Sequence, residues 1–188
     1  LRMGGDEFVY FLLCGLVPWK WFASTIGNGS KSIEAGSGMI HQVYLPKVVL
    51  PTIVVLVNTL KFLMILPILV VFLVINGFEI ALSWISLLPI IICQFVLVWS
   101  LTSFSAAILP FVPDLRYVID NGLLLLMFVS GVFFSIGNVS EPVRSLLLLN
   151  PVAVLLEAYR AVLLESIWPS WSALGEILLF SFFVGVVA

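Results

Sequence analysis

Apolar residues in this chain come in long runs separated by short polar stretches. The runs cover residues 8–26, 48–75, 84–112 and 121–137, and a last one opens at residue 172. Runs near this length read as membrane-spanning helices, because about 20 residues rising 1.5 Å each cross the hydrocarbon core. The pattern predicts an all-α, polytopic transmembrane protein with about five spans. Pro18 offers a kink in the first run, where Trp19 and Trp21 mark an interface belt and Lys20 is placed to snorkel. The second run is long enough to tilt or bend at Pro51 or Pro67. The third contains no charged residue. The fourth carries Ser130-Gly131, small residues that allow close helix packing.

Two stretches break this rhythm. Residues 27–47, GNGSKSIEAGSGMIHQVYLPK, form a polar insert too long for a minimal turn. Within it Ile33, Ile40 and Tyr44 recur at about helical spacing with Met39 beside them. Ser32 is a candidate N-cap, with Glu34 in the first turn. A short helix there lies at the water interface, where it can touch a soluble partner; a solvated loop is the alternative. In the second stretch, 138–171, residues 145–156 are apolar but span only roughly 18 Å as a helix, too short to cross. Asn150-Pro151 breaks them, and Glu141, Arg144, Glu157, Arg160 and Glu165 flank them. Such a segment is re-entrant or interfacial. Lys31, Lys47 and Arg116 place the insert and the turn at 113–120 on the cytoplasmic side and the broken segment on the other. Arg2, Arg144 and Arg160 balance that count, so the orientation rests on the short loops.

Composition narrows the chemistry. Hydrophobic residues make up 62% of the chain and charged residues 10%, against roughly 25% charged in a soluble domain. A net charge of −2 with scattered basic residues points to no nucleic-acid partner. Cys14 and Cys93 sit in apolar runs and read as small hydrophobes. His41, the sole histidine, has no Cys, Asp or His at ligand spacing, which argues against a metal site or a catalytic triad. The GNGSKS stretch lacks the G-x-x-x-x-G-K-[ST] spacing of a phosphate loop. Asn28-Gly-Ser30 and Asn138-Val-Ser140 match glycosylation triplets that arise readily by chance. Lys61, near the middle of the second run, costs at least about 2.5 kcal/mol at that depth. It faces a wet cavity, a backbone carbonyl or another subunit, or else it snorkels or packs. The aromatic residues Tyr10, Phe11, Trp19, Trp21, Phe22, Phe62, Phe72, Phe128, Phe133 and Phe134 lie in or near the runs. Rings like these can line a passage and stack on sugar faces without charge, or pack against protein and lipid.

Five motifs in order carry a family resemblance: Gly15-Leu-Val-Pro-Trp19; Ser32-Ile33, Ile40 and Val43-Tyr-Leu-Pro-Lys47; Pro51; Ser130-Gly-Val-Phe-Phe134; and Leu149-Asn-Pro151 with Tyr159-Arg160. Together they resemble the membrane subunit of ABC-2-type exporters, most closely the polysaccharide branch that exports O-antigen, capsule or teichoic acid chains. The resemblance covers nearly the whole chain. It implies a single transmembrane domain over residues 1–188 of a six-span permease. That permease works as a homodimer in the bacterial inner (cytoplasmic) membrane, among membrane lipids. It also implies no cofactor in this chain, with ATP and Mg held by a separate ABC ATPase.

By the same resemblance, residues 31–41 form the coupling helix on that ATPase, through Lys31, Ser32, Ile33, Glu34, Met39, Ile40 and His41. Asn150, Pro151, Glu157, Tyr159 and Arg160 belong to an outward gate. Tyr10, Trp19, Phe22, Lys61, Phe62, Phe128, Phe133 and Phe134 are candidates to line a channel for a lipid-linked glycan. Five runs rather than six, and no N-terminal amphipathic helix, imply that the first span and the C-terminal end lie beyond this sequence. The rival readings are an ABC-2 exporter of a drug or lipid, an integral-membrane transferase, and a secondary transporter using Lys61.

Overall fold

The computed structural model of the chain describes residues 5–36 and 46–187. Eight α-helices lie among them: α1 Gly5–Gly29, α2 Ser32–Ala35, α3 Val49–Ile75, α4 Leu87–Ile108, α5 Leu115–Val129, α6 Glu141–Leu147, α7 Pro151–Leu163 and α8 Trp171–Val187. A 3-10 turn at Leu82–Ser86 leads into α4, and another at Ile136–Asn138 precedes α6. The described residues contain no strand. In hydrocarbon each backbone donor and acceptor must be satisfied within its own segment, so apolar runs of this length become helices.

Among the described residues, three helical stretches are long and apolar enough to cross a membrane: Glu7–Gly29, Val49–Ile75 and Leu82–Ile108. The chain is therefore a multi-pass membrane protein. The other two expected spans are shorter. Helix α5 has 15 residues and α8 has 17, roughly 22 and 25 Å against a core of about 30 Å. Helix α5 begins at Leu115, inside the stretch read as a polar turn, and stops before the predicted end at 137. It stops because Gly131 adopts φ 69°, a left-handed conformation that ends helices and favours glycine. The broken segment is a bent pair, with α6 and α7 meeting at 102°.

Helix α1 lies at the centre, packed against α3, α4, α5 and α7. Its Trp19, Trp21, Phe22 and Ile26 meet Phe62 of α3, Leu97 and Val98 of α4, and Leu155 and Tyr159 of α7 in one core. Trp21 stacks on Phe62 with centroids 4.3 Å apart and planes 15° from parallel. Helix α3 buries only one stripe, including Val55, Phe62, Leu69 and Leu73. Small residues bring other helices close. A Cβ on Gly29 would collide with Thr102 of α4, and one on Gly185 of α8 would lie 3.0 Å from the Ser100 hydroxyl of α4. Lipid tails are as apolar as leucine, so such close packing holds helices together where a hydrophobic driving force cannot.

Two polar ties mark the ends of the bundle. The Tyr10 hydroxyl donates to Asn76 Oδ1 at 2.9 Å, joining the start of α1 to the end of α3. At the other end Lys31 Nζ reaches both carboxylate oxygens of Asp120 on α5, at 3.0 and 2.8 Å. The insert and the third loop thus share one end, as the alternation of loop charges requires. Helix α5 runs from the Lys31 end towards Phe11, near the start of α1. Helix α8 begins beside the first turns of α4, where the Cys93 thiol donates to the Leu174 carbonyl at 3.5 Å. The bent pair therefore enters and leaves the bundle at the same end.

The close approach at Gly29 is testable. Gly29→Ala is expected to destabilise the protein by about 1–3 kcal/mol, as overpacking does. Gly175→Ala, with nothing within 4 Å of the added carbon, should not destabilise it. Thermal unfolding in one detergent compares the two.

Candidate functional site

Three of the five motifs that carry the resemblance lie far apart in sequence and meet around Arg160: Gly15 from the first, Gly131 and Val132 from the fourth, and Arg160 itself from the last. This arginine is only 4% exposed. Its Nη1 donates to the Gly131 carbonyl at 2.8 Å, Nη2 to the Val132 carbonyl at 2.9 Å and Nε to the Phe11 carbonyl at 3.3 Å. Its guanidinium carbon also sits 3.7 Å from the centre of the Phe11 ring. A buried charge is tolerated when its donors are matched in this way. Each partner is available for a local reason. Gly131 and Val132 lie just past the end of α5, where carbonyls have no helical partner. Gly15 lacks a side chain on the face of α1 that Arg160 crosses, and a Cβ there would collide with the guanidinium.

Asn150 secures the bend. Its Oδ1 accepts from the Val152 backbone N–H at 3.0 Å, which caps α7, and its Nδ2 donates to the Ser130 hydroxyl at 2.8 Å. Pro151 takes the first helical position, where a missing N–H has no consequence. The bend is thus pinned to the end of α5 by Asn150, as the body of α7 is by Arg160. Nine of the thirteen residues of α7 are buried, which is how a helix that does not span can persist at membrane depth.

Of the other gate candidates, Tyr159 is fully buried with its ring edge towards Phe62, and its hydroxyl has no hydrogen-bond partner among the described residues. Glu157 is half-buried and faces a cavity between α7 and α8. The coupling candidates divide. Lys31 holds Asp120, and Ile33 and Glu34 are half-buried in α2. Ser32 does not cap that helix: Lys31 occupies the cap position, and the Ser32 hydroxyl donates instead to the Gly29 carbonyl at 2.6 Å. Of the helix expected over 31–41, the described residues show Ser32–Ala35; residues 37–41, with Met39, Ile40 and His41, lie outside the described residues.

The channel candidates divide as well. Trp19, Phe22 and Phe62 belong to the core. All three rings are buried: Trp19 and Phe22 on α1 among its neighbours, and Phe62 on the stripe of α3 that packs against α1. Tyr10 packs between Phe72 and Phe78. Phe128, Phe133 and Phe134 are exposed, and so is Lys61 on the open face of α3, with no partner among the described residues. Cys14 and Cys93 are free and buried. Sequence reasoning misses Asp120, which reads as a turn residue, and Gln94, whose Nε2 donates to the Pro18 carbonyl at 2.9 Å. A polar amide in the charge-free third run is the available signal for Gln94.

Together these features describe a polytopic helical membrane protein built around a pinned, bent helix pair. No family model matches the chain. Individual relatives do. The chain is 31% identical over 172 residues to the O-antigen export system permease protein RfbA of Myxococcus xanthus, covering 88% of this chain and 64% of that protein. It is 26% identical over 168 residues to RfbA of Klebsiella pneumoniae, covering 89% and 65%. It is 27% identical over 179 residues to the polysialic acid transport protein KpsM of Escherichia coli, covering 90% and 64%. The chain thus spans a little under two thirds of these relatives' length. Along most of its length it is similar in sequence to permeases and transport proteins of polysaccharide export.

The Arg160 node predicts a coupled pair of substitutions. Arg160→Lys leaves at least two of the carbonyls unpaired, at about 1–3 kcal/mol each. Gly15→Ala displaces the same guanidinium. The double variant should fall short of the summed losses by about 0.5–3 kcal/mol, measured as unfolding free energies in detergent. Additive losses would break the link between Gly15 and Arg160.

Proposed function

We propose that the chain is the membrane-spanning permease subunit of an ATP-driven exporter. It moves a lipid-linked polysaccharide across the bacterial cytoplasmic membrane as a homodimer, with a separate ABC ATPase holding ATP and Mg. The observation that carries this reading is the similarity to two named O-antigen export permeases and a polysialic acid transport protein along nearly the whole chain. The subunit itself performs no catalysis in this reading. It converts the ATPase's movement into opening and closing of a route for the glycan.

The geometry supplies a contiguous path for that movement. The insert around α2 is the docking element. Lys31 joins it to Asp120 on α5. Helix α5 ends at Ser130, which Asn150 holds, and at the Gly131 and Val132 carbonyls, which Arg160 holds. A push on the insert therefore reaches the bent pair through α5, as well as through α1. Coupling of this kind needs a contiguous physical chain with two arrangements, and these residues supply the chain.

Two experiments test the proposal. Pull-down of the full-length protein from detergent should bring a stoichiometric ABC ATPase, and Ile33→Asp with Ile40→Asp should lose it; retention of the ATPase by that variant would refute the docking assignment. Lys31→Asp should lower export, and the swapped pair Lys31→Asp with Asp120→Lys should restore most of it. If the swap recovers nothing, the α5 route is wrong. Transport that persists on ATP depletion, and is lost in Lys61→Met, would favour a secondary transporter instead.

A further inference from the structure

Between α7 and α8, at the end of the bundle where the bent pair lies, is a cavity of about 780 Å³. This falls within the range of about 300–1,000 Å³ in which small-molecule sites occur. Its walls are largely aliphatic, and three carboxylates and two accessible rings interrupt them. Glu157 comes from α7, Glu165 from the connection after α7, and Glu176 from α8. Glu176 sits inside the last apolar run, where a carboxylate is costly and is by default functional. Trp168 and Phe180 line the same space and are each about half exposed. Trp171 stands beside Trp168, their centroids 6.4 Å apart. Phe11 also borders the cavity, but the Arg160 guanidinium covers its ring.

The placement of the carboxylates limits what can bind. No group of three or more acidic, His or Cys side chains among the described residues could hold a metal ion, so these acceptors do not converge on a point. They suit a ligand whose donors are spread over its surface. Each carboxylate offers only acceptors, so the donors must be hydroxyl or amino groups. The rings supply flat apolar surface for C–H faces. Among the described residues that line the cavity, Arg160 alone is basic, and each of its three nitrogens already donates to a backbone carbonyl. Three carboxylates and one guanidinium leave the lining at −2 when ionised, which opposes an anionic ligand.

We propose that this cavity is a sugar-binding subsite for neutral or amino-substituted units of the exported chain, and that it rejects acidic ones. The proposal rests on the export reading for the source of the sugar. It places the cargo with neutral or amino-sugar polymers rather than with an acidic polymer such as polysialic acid.

The test uses the full-length permease in phosphatidylcholine nanodiscs, with any co-purifying ATPase left bound. Binding of maltotriose, a glucosamine trimer and a sialic acid trimer is followed by tryptophan fluorescence and by saturation transfer to the sugar protons. The first two sugars are expected to bind and the third to fail. Trp168→Ala and Glu165→Gln, both at exposed positions, should each weaken binding by about tenfold or more, as the loss of one charge-assisted hydrogen bond or one stacked ring does. Equal binding of the sialic acid trimer, no binding of the other two, or full binding by both variants would overturn the proposal. So would a fluorescence change that follows added lipid instead of sugar. Failure of the ATPase to co-purify would remove the export reading and leave this binding measurement intact.

Discussion

Arg160 joins three parts of the chain that share no hydrogen-bonded secondary structure: α1 through the Phe11 carbonyl, the end of α5 through Gly131 and Val132, and α7, which carries it. An uncompensated guanidinium at this depth would cost several kcal/mol, and breaking a buried charge's partnerships typically costs about 3–5 kcal/mol. Everything around it is arranged to avoid that. Helix α5 stops where it does so that two carbonyls are free. Gly131 is left-handed so that they turn inward. Gly15 is bare so that the guanidinium can lie against α1. Without the arginine these would be three unrelated local features.

The two ends of the bundle are held very differently. At the end with the bent pair, Arg160 makes three buried bonds, Asn150 adds a part-buried pair, and Tyr10 and Asn76 add an exposed one. At the other end, Lys31 and Asp120 form a half-exposed ion pair, and exposed pairs contribute about 0–1 kcal/mol. A moving partner that engages the insert would meet the weaker end first. The stiff end would then respond as a unit, because α1, the end of α5 and α7 cannot shift independently without unpairing Arg160.

The apolar runs make the helical class and the positions of α1, α3 and α4 legible from the amino-acid sequence, because membrane spans are set by length and composition alone. The break at Asn150-Pro151 is legible for a local reason: a capping side chain followed by proline starts a helix, and the apolar stretch is too short to cross. Which polar residues meet is not legible. Arg160 looks like one of several flanking charges, since its partners are backbone carbonyls more than 25 positions away and carbonyls leave no mark in a sequence. Trp19, Phe22 and Phe62 read as lining a passage because an aromatic residue in a span has the same composition whether it packs inward or faces a pore. In this chain all three are buried in the core, Phe62 from the stripe of α3 that faces α1. Asp120 reads as part of a turn if charge is taken to end the apolar run, whereas α5 begins before it and places it opposite Lys31.

The shared entry and exit of the bent pair has a topological consequence. A hairpin that returns to the side it came from adds no crossing, so it leaves the parity of the chain unchanged: α5 and α8 must run in opposite directions whatever happens between them. The 102° pair can therefore lengthen, shorten or change its side chains without inverting the sidedness of anything that follows. Variation in the bent segment is in this way decoupled from membrane insertion.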